Sequence, residues 1–419
     1  NFLQISAGNK DHVVGVNKYH KAFIYNSKNN KWNQIETDTG IRHIATNKDG
    51  EIWLITITGD IYRYKKTKGN TKSDKYRLEK NLKGHHYTIS SIVFHPDPKS
   101  KLLASSDLTG LMAMHTKAGY IKIWNIETGQ CIKTLKDRNI HKRKREIIYL
   151  GVRSISFNPE IKSKMLASGS DDKTIKIWDI ETGQCIKILM GHTEFIRAVK
   201  FHPNPKLKIL ASGSNDKTIK IWNINTWQCT KTLIGHKKDV SSIAFHSNNP
   251  KIIASGSFDK TIKIWNIETE QCIKTLIGHK DIVRSIAFHP NNPKILVSGS
   301  NDKTIKIWDI ETGQCIKTLK EKNPDITTSM ITFHPDPKSN ILASGSVYRR
   351  YIKIWNIKTG KCIQTLKTNG FVYSLAFHPK YDILASGPAY DSNINIWTKS
   401  SLPSILNPTF IPKSPQGFE

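Results

Sequence analysis

The chain has 419 residues and a formal net charge of +30, from 64 Lys and Arg against 34 Asp and Glu. With 37% hydrophobic and 9% aromatic residues it can bury a large core, and its length admits more than one domain. No run of about 18 apolar residues occurs, which argues against a spanning helix, and the absence of any C-x-x-C pair argues against zinc. The chain opens on Asn1 rather than Met, so further sequence is expected upstream and a signal peptide is neither seen nor excluded.

Residues 1–66 hold two copies of one pattern. Ile5–Tyr25 reads ISAGNKDHVVGVNKYHKAFIY and Ile44–Tyr62 reads IATNKDGEIWLITITGDIY; Asp11 aligns with Asp49 and Ile24-Tyr25 with Ile61-Tyr62, a period of 37 or 38. Trp32-Asn33-Gln34-Ile35, Asp49-Gly50, Trp53 and Ile61-Tyr62, with Gly15-Val16-Asn17 in the first copy, resemble the tectonin-type β-propeller repeat. The first copy departs from that family in having Val14 where Trp is usual. Two blades cannot close a ring and would leave open strand edges. The resemblance therefore implies blades of a second, incomplete propeller, with further repeats upstream or another protein as support. Some tectonin-type proteins bind sugars, so glycan recognition is one functional reading of this part. Residues 67–75, polar, basic and Gly-containing, read as a flexible linker.

From Tyr76 the pattern changes. Ala211–Leu233, ASGSNDKTIKIWNINTWQCTKTL, returns almost letter for letter at Ala254–Leu276 and Val297–Leu319. Leu210, Ser212 and Ser214 alternate out of one strand, and Asn215-Asp216-Lys217 makes a tight turn. Ile219 and Ile221 alternate with Lys220 and Trp222 in the next strand, and a loop at Asn225 and Thr226 leads to a last strand at Cys229–Leu233. Trp124, Trp178, Trp222, Trp265, Trp308, Trp355 and Trp397 recur at intervals of 42 to 54 residues, most often 43. A period of this size built of four short strands is the signature of a propeller blade.

These residues resemble the WD-repeat family over roughly Tyr76 to Trp397. The family pattern is Gly-His, a strand, Asp in a turn, then Trp-Asp. It is met by Gly191-His192, Asp216 and Trp222-Asn223, by Gly235-His236, Asp259 and Trp265-Asn266, and in full by Gly278-His279, Asp302 and Trp308-Asp309. The resemblance implies a buried hydrogen-bonded tetrad in each such blade: His192, Ser212, Asp216 and Trp222; His236, Ser255, Asp259 and Trp265; His279, Ser298, Asp302 and Trp308. A buried carboxylate and a buried indole N–H each need a partner, so these residues read as structural and not as catalytic triads. The strand from Tyr76 to Leu82 resembles the last strand of a blade running into Gly84-His85, while the final blade ends at Trp397 without one. The first strand can then complete the last blade. The expected fold is all-β: a seven-bladed WD-repeat propeller over 76–398, preceded by the tectonin-like blades and followed by a Pro-containing tail, 399–419.

The departures from the repeat are Asp107–Tyr120 in blade one, Lys136–Leu150 leading into blade two without Gly-His, Val347–Tyr351 in place of the Asp turn of blade six, and Asn369-Gly370 with Pro388–Asn393 in blade seven. In the family's fold all fall in the Gly-His loop or the Asp turn, on one face, in blades that are consecutive around a closed ring. Drift explains this plainly. The functional alternative is that Met112, Met114, His115, Tyr348, Arg349, Arg350, Tyr351 and Tyr390, with Lys142-Arg143-Lys144-Arg145, bind the main protein partner, because aromatic, Met and Arg side chains are enriched at interfaces.

The charge also has two readings. One is an anionic partner such as nucleic acid, the ribosome or an acidic protein. The other is duplication, since Lys173/Lys176, Lys217/Lys220, Lys260/Lys263 and Lys303/Lys306 recur with the repeat. Cys131, Cys185, Cys229, Cys272, Cys315 and Cys362 each begin the last strand of a blade, too far apart around a ring for disulfides. One small buried thiol per blade is expected, suited to a reducing compartment: the cytoplasm, with the nucleus as the alternative. The His-Pro pairs at His95, His202, His289, His334 and His378 belong to the repeat. No phosphate loop, H-E-x-x-H or nucleophile elbow occurs, and no cofactor or metal is expected. The chain thus reads as a non-enzymatic scaffold for several proteins, with a ribonucleoprotein or other nucleic-acid assembly as the alternative.

Overall fold

The computed structural model describes residues 2–7, 13–17, 19, 21–26, 31–35, 41–46, 51–56, 61–65, 76–108, 119–137, 151–320, 330–336, 338–389 and 393–399. Residues 1–72 and 73–419 form separate compact units. In the first, Phe2–Ala7, Val13–Asn17, Ala22–Asn26 and Lys31–Ile35 make a four-stranded antiparallel meander, and Ile41–Thr46, Glu51–Thr56 and Ile61–Lys65 a three-stranded one. The Ile-Tyr pairs that anchored the repeat in sequence occupy the third strand of each sheet.

The second unit is a seven-bladed propeller. Blade three shows how the repeat builds a blade: Ile196–Phe201 is innermost, followed outward by Ile209–Ser214, Thr218–Asn223 and Gln228–Ile234. Blades one, two, four, five and six begin with Thr88–Phe94, Val152–Phe157, Val240–Phe245, Val283–Phe288 and Met330–Phe333. In blade seven, Phe371–Phe377, Ile383–Ala389 and Ile394–Thr398 are completed by Arg77–Leu82, with Ile394 opposite Leu82 and Trp397 opposite Leu78. Innermost strands touch their neighbours in sequence, and Phe371–Phe377 meets Thr88–Phe94. The first strand of this unit thus hydrogen-bonds to its last, and a closed ring removes the two faces that an open array would leave uncovered.

Period-2 alternation places Ile219, Ile221 and Leu233 inside at 2% exposure or less. The core lies between blades. Ala167, Ile175, Ile177 and Leu189 of blade two pack with Ile196, Val199, Phe201, Leu210 and Trp222 of blade three, and each fully buried large aliphatic contributes about 1.5–3 kcal/mol. Close approach needs glycine in the Ser-Gly-Ser strand: a Cβ on Gly213 would lie 2.7 Å from Val240 Cγ1 of the next blade. The glycine of Gly-His has a different duty. Gly235 has φ +156°, and a Cβ there would stand 3.1 Å from the Trp265 indole.

A His–Phe belt runs along the face opposite the Gly-His loops. His95, His202, His246, His289, His334 and His378 each pack edge-on, at 4.6–5.1 Å, against a Phe of the following blade. Each Nδ1 accepts a backbone N–H from two residues on, so these rings are neutral. Burial holds all six below the ordinary histidine range. Blade two has Asn158 at this place, whose Oδ1 accepts the Glu160 N–H at 3.0 Å.

One expectation is corrected. The six cysteines are exposed, not buried. Each is the first or second residue of an outermost strand, beside the register shift at the Trp, as at Trp222/Cys229, where the strand faces the circumference and little beyond Leu233 is covered. The linker over 67–75 and the tail beyond Lys399 lie outside the described residues.

Candidate interaction face and the polar tetrads beneath it

In blade three, Trp222 Nε1–H donates to Ser212 Oγ at 2.9 Å, Ser212 Oγ lies 2.7 Å from His192 Nε2, and His192 Nδ1 lies 2.6 Å from Asp216 Oδ2. An ionised carboxylate only accepts, so His192 Nδ1 donates to it and Nε2 accepts the Ser212 hydroxyl. Blades four and five repeat this with His236, Ser255, Asp259 and Trp265 and with His279, Ser298, Asp302 and Trp308. Burial tends to raise the Asp216, Asp259 and Asp302 carboxyls. Hydrogen bonds from the histidine and from Thr218, Thr261 or Thr304 outweigh burial and hold all three well below the usual carboxylate range.

The Ser–His–Asp connectivity matches that of a hydrolase triad, but its chemistry is closed off. Ser212, Ser255 and Ser298 are completely buried, and each Oγ already accepts an indole N–H. No substrate carbonyl can reach them. Each tetrad instead ties the Gly-His loop to the Asp turn and so fixes the face on which both stand.

The structure adds a fourth tetrad missed in sequence. His85 Nδ1 is 2.8 Å from Asp107 Oδ2, His85 Nε2 is 2.6 Å from Ser105 Oγ, and Trp124 donates to Ser105 at 2.8 Å. Asp107 therefore belongs to the blade and not to its interruption. It stands two residues after the serine instead of four, and a register shift between Ser106 and Asp107 swings it into place. The usable signal was Ser105 at the regular spacing from Gly84-His85.

Among the described residues the other three blades keep only the Trp–Ser bond of the tetrad, at 2.8–2.9 Å from Trp178 to Ser168, Trp355 to Ser344 and Trp397 to Ser386. Blade two retains Asp172, with no histidine beside it among the described residues. Lys176 Nζ bridges Asp172 and Asp137, and all three side chains are 4% exposed or less. Burial opposes the charge on Lys176, but Asp137 and Asp172 outweigh it and raise its pKa. Burial pushes Asp137 up, whereas Asp172, which also accepts the Thr174 N–H and hydroxyl, is held down by Lys176 and those bonds.

Blade six lacks both Asp and His. Tyr348 stands at the place of the tetrad Asp and is 53% exposed. Its N–H and that of Arg349 donate to Ser346 Oγ at 3.2 and 3.0 Å. Arg349 and Arg350 are exposed; Tyr351 is half-buried, with Lys353 Nζ 5.6 Å from its ring centre. Of the proposed partner-binding residues, the structure thus brings Tyr348, Arg349, Arg350 and Tyr351 together, whereas Met112, Met114, His115, Lys142, Arg143, Lys144, Arg145 and Tyr390 lie outside the described residues. Among the described residues no three His, Cys, Asp or Glu side chains are placed to hold a metal, and no helix is long and apolar enough to cross a membrane.

A family model described as WD domain, G-beta repeat matches residues 76–125, 147–179, 183–223, 227–266, 270–309 and 360–398, together more than half of the chain. The chain belongs to the WD-repeat family. Most of blade six, the blade without Asp or His, lies outside these matches. A Tectonin domain model matches residues 1–85 and so overlaps the strand that completes blade seven. The chain is 28% identical over 124 residues to nuclear distribution protein nudF of Emericella nidulans, covering 30% of this chain and 23% of that one. It is 32% identical over 148 residues to nuclear distribution protein PAC1 of Candida tropicalis, covering 35% and 23%. It is 34% identical over 117 residues to myosin heavy chain kinase C of Dictyostelium discoideum, covering 28% and 12%. The chain thus spans less than a quarter of the length of each of these relatives.

Proposed function

We propose that this WD-repeat chain is a non-catalytic platform that holds other proteins together through its Gly-His face, with blades six, seven, one and two as the principal contact arc. The blade-six turn carries this reading. Released from the tetrad, it projects Tyr348, Arg349 and Arg350 into solvent while Ser346 fixes its backbone. Exposed aromatic and Arg side chains on a rigid turn suit the centre of an interface. The non-catalytic reading is supported by the sealed tetrads, whose hydroxyls are spent on structure. Relatives whose names differ as widely as nuclear distribution protein and myosin heavy chain kinase share the repeats, so the propeller by itself specifies no activity. In the same reading the tectonin-like sheets are blades of a second, incomplete propeller that adds another binding unit, and the six free cysteines suit a reducing compartment, the cytoplasm with the nucleus as the alternative.

The test is charge reversal at the turn. Arg349→Glu with Arg350→Glu should remove partners that the unmodified chain retains in quantitative pull-down mass spectrometry, with the thermal midpoint unchanged. Retention of every partner would remove the blade-six arc from the reading.

A further inference from the structure

The inner rim of the Gly-His face in blades two to five carries cations that neither the tetrads nor the blade-six turn employ. The second residue of the innermost strand is Arg153 in blade two, Arg197 in blade three and Arg284 in blade five. Each Nε–H is anchored on a neighbour: Arg153 on Asp171, Arg197 on Asn215 and Arg284 on Asn301. Each guanidinium also lies over a ring, Arg153 at 5.5 Å from the Phe195 centre, Arg197 at 4.6 Å and Arg284 at 5.3 Å from that of Phe258. Arg153 Nη2 reaches Asp171 at 3.0 Å and Arg197 Nη2 reaches Asp239 at 3.2 Å, while Arg284 forms no ion pair with a described residue. The result is a ladder of three oriented guanidiniums against two carboxylates. Burial, then repulsion from Arg153, lowers the Arg197 pKa, and Arg284 adds to that repulsion.

We propose that this rim is a second docking site, separate from the blade-six turn, and that it takes an acidic polypeptide segment with one carboxylate paired to Arg284. The proposal rests on reading the Gly-His face as an interaction surface. With Nε held by Asn301, the free edge of the Arg284 fork is set for a bidentate carboxylate. Lys237, Lys238 and Lys280 nearby are exposed and form no ion pair among the described residues, so they steer an acidic chain toward the rim. The neighbouring carboxylates Glu194 and Asp281 are engaged by Lys173 and by the Ile282 N–H. The opposite face is neutralised by repeated pairs, Lys101–Glu127, Lys164–Glu181, Lys251–Glu268 and Lys294–Glu311. Single-stranded nucleic acid fits the rim less well, because its rings are already engaged by guanidiniums and offer no free stacking platform.

The experiment is fluorescence anisotropy on the full chain with a fluorescein-labelled oligoglutamate peptide, run in parallel with a labelled single-stranded oligonucleotide. Saturable peptide binding is expected, weakened at least about tenfold by Arg284→Glu and by Arg284→Gln, the scale of a lost charge-assisted hydrogen bond, and unchanged by Arg349→Glu with Arg350→Glu. Arg284→Gln keeps a donor for Asn301 and decides the matter should the glutamate variant fail to fold. Absence of peptide binding, equal binding by a folded Arg284 variant, or tighter oligonucleotide binding lost with the same substitution would overturn the proposal. Loss only in the Arg349/Arg350 variant would place the acidic ligand on the blade-six turn, overturning the second site while sparing the proposed function.

Discussion

Blades two and three bury the same turn carboxylate and satisfy it by different means. In blade three a histidine from the preceding loop donates one hydrogen bond to Asp216 and passes the chain inward to Ser212 and Trp222. Among the described residues of blade two no such histidine is present. Lys176 meets Asp172 from its own strand, and Asp137 arrives from the end of blade one. A neutral imidazole at the end of a hydrogen-bonded chain costs little to bury; an ammonium between two carboxylates gives up hydration three times over. The difference shows that a buried Asp in this turn demands a partner but not a particular one. Blade six, where Asp and His are both absent, is the third solution.

The comparison is broken most severely at Lys176. Lys176→Met leaves Asp137 and Asp172 buried without a cation and should lower stability by about 3–5 kcal/mol, read as a fall in the urea midpoint. Adding Asp137→Asn and Asp172→Asn to Lys176→Met should recover much of that loss. A single variant as stable as the parent would show that the three charges are not buried together. In the regular sector the corresponding cut is smaller. His236→Ala strands Asp259 and Ser255, but Asp259 keeps bonds from the Lys237 N–H and from Thr261. A loss of about 1–3 kcal/mol is expected by the same assay, and a loss as large as that of Lys176→Met would erase the distinction between the two solutions.

These differences explain what could be read in the sequence. The tetrads of blades three to five were legible because all members recur at constant spacing, and any partner of a buried Asp had to be among them. Seven blades were legible from the Trp spacing and the strand before Gly84. The Lys176 cluster was not. Thr-Ile-Lys-Ile-Trp reads the same at Lys176, Lys220, Lys263 and Lys306, yet the last three reach Thr232, Thr275 and Thr318 on the outer strand. Lys176 has Ile188 opposite it instead. Its role is decided by a missing histidine and an added aspartate in another blade, neither visible in its own repeat. The cysteines misled for a related reason: hydrophobic character suggests burial, but the outermost strand of a blade has no neighbour beyond it.

The His–Phe belt sharpens the comparison from the opposite face, because blade two again dispenses with histidine. The six belt histidines fold neutral with pKa values lowered by burial, so their contribution is complete above about pH 6.5 and is lost as pH falls from there toward the folded values. His289→Asn copies blade two. It should cost about 0.5–1.5 kcal/mol at pH 8 through the lost contact with Phe333, and should reduce the drop in urea midpoint between about pH 7.5 and about pH 5.5. Identical pH profiles for parent and variant would mean that His289 titrates as freely folded as unfolded.

The smallest effect is expected where blade six has abandoned the tetrad. Tyr348→Asp restores the residue found at Asp216, Asp259 and Asp302, and a reading based on repeat consensus would have it stabilise the blade. The physical argument gives another answer. Tyr348 is 53% exposed and its N–H already caps Ser346 Oγ, so the new carboxylate enters water instead of a sealed pocket. The bonds that hold the other three aspartates down come from their histidines and from the threonines two residues on, and here the residue two on is Arg350. The stability change should stay within about 0.5 kcal/mol. Partner capture should nevertheless weaken, because an exposed ring gives way to a negative charge between Arg349 and the contact surface. A gain of a kilocalorie or more on thermal denaturation would instead mean that blade six still holds a pocket built for the carboxylate.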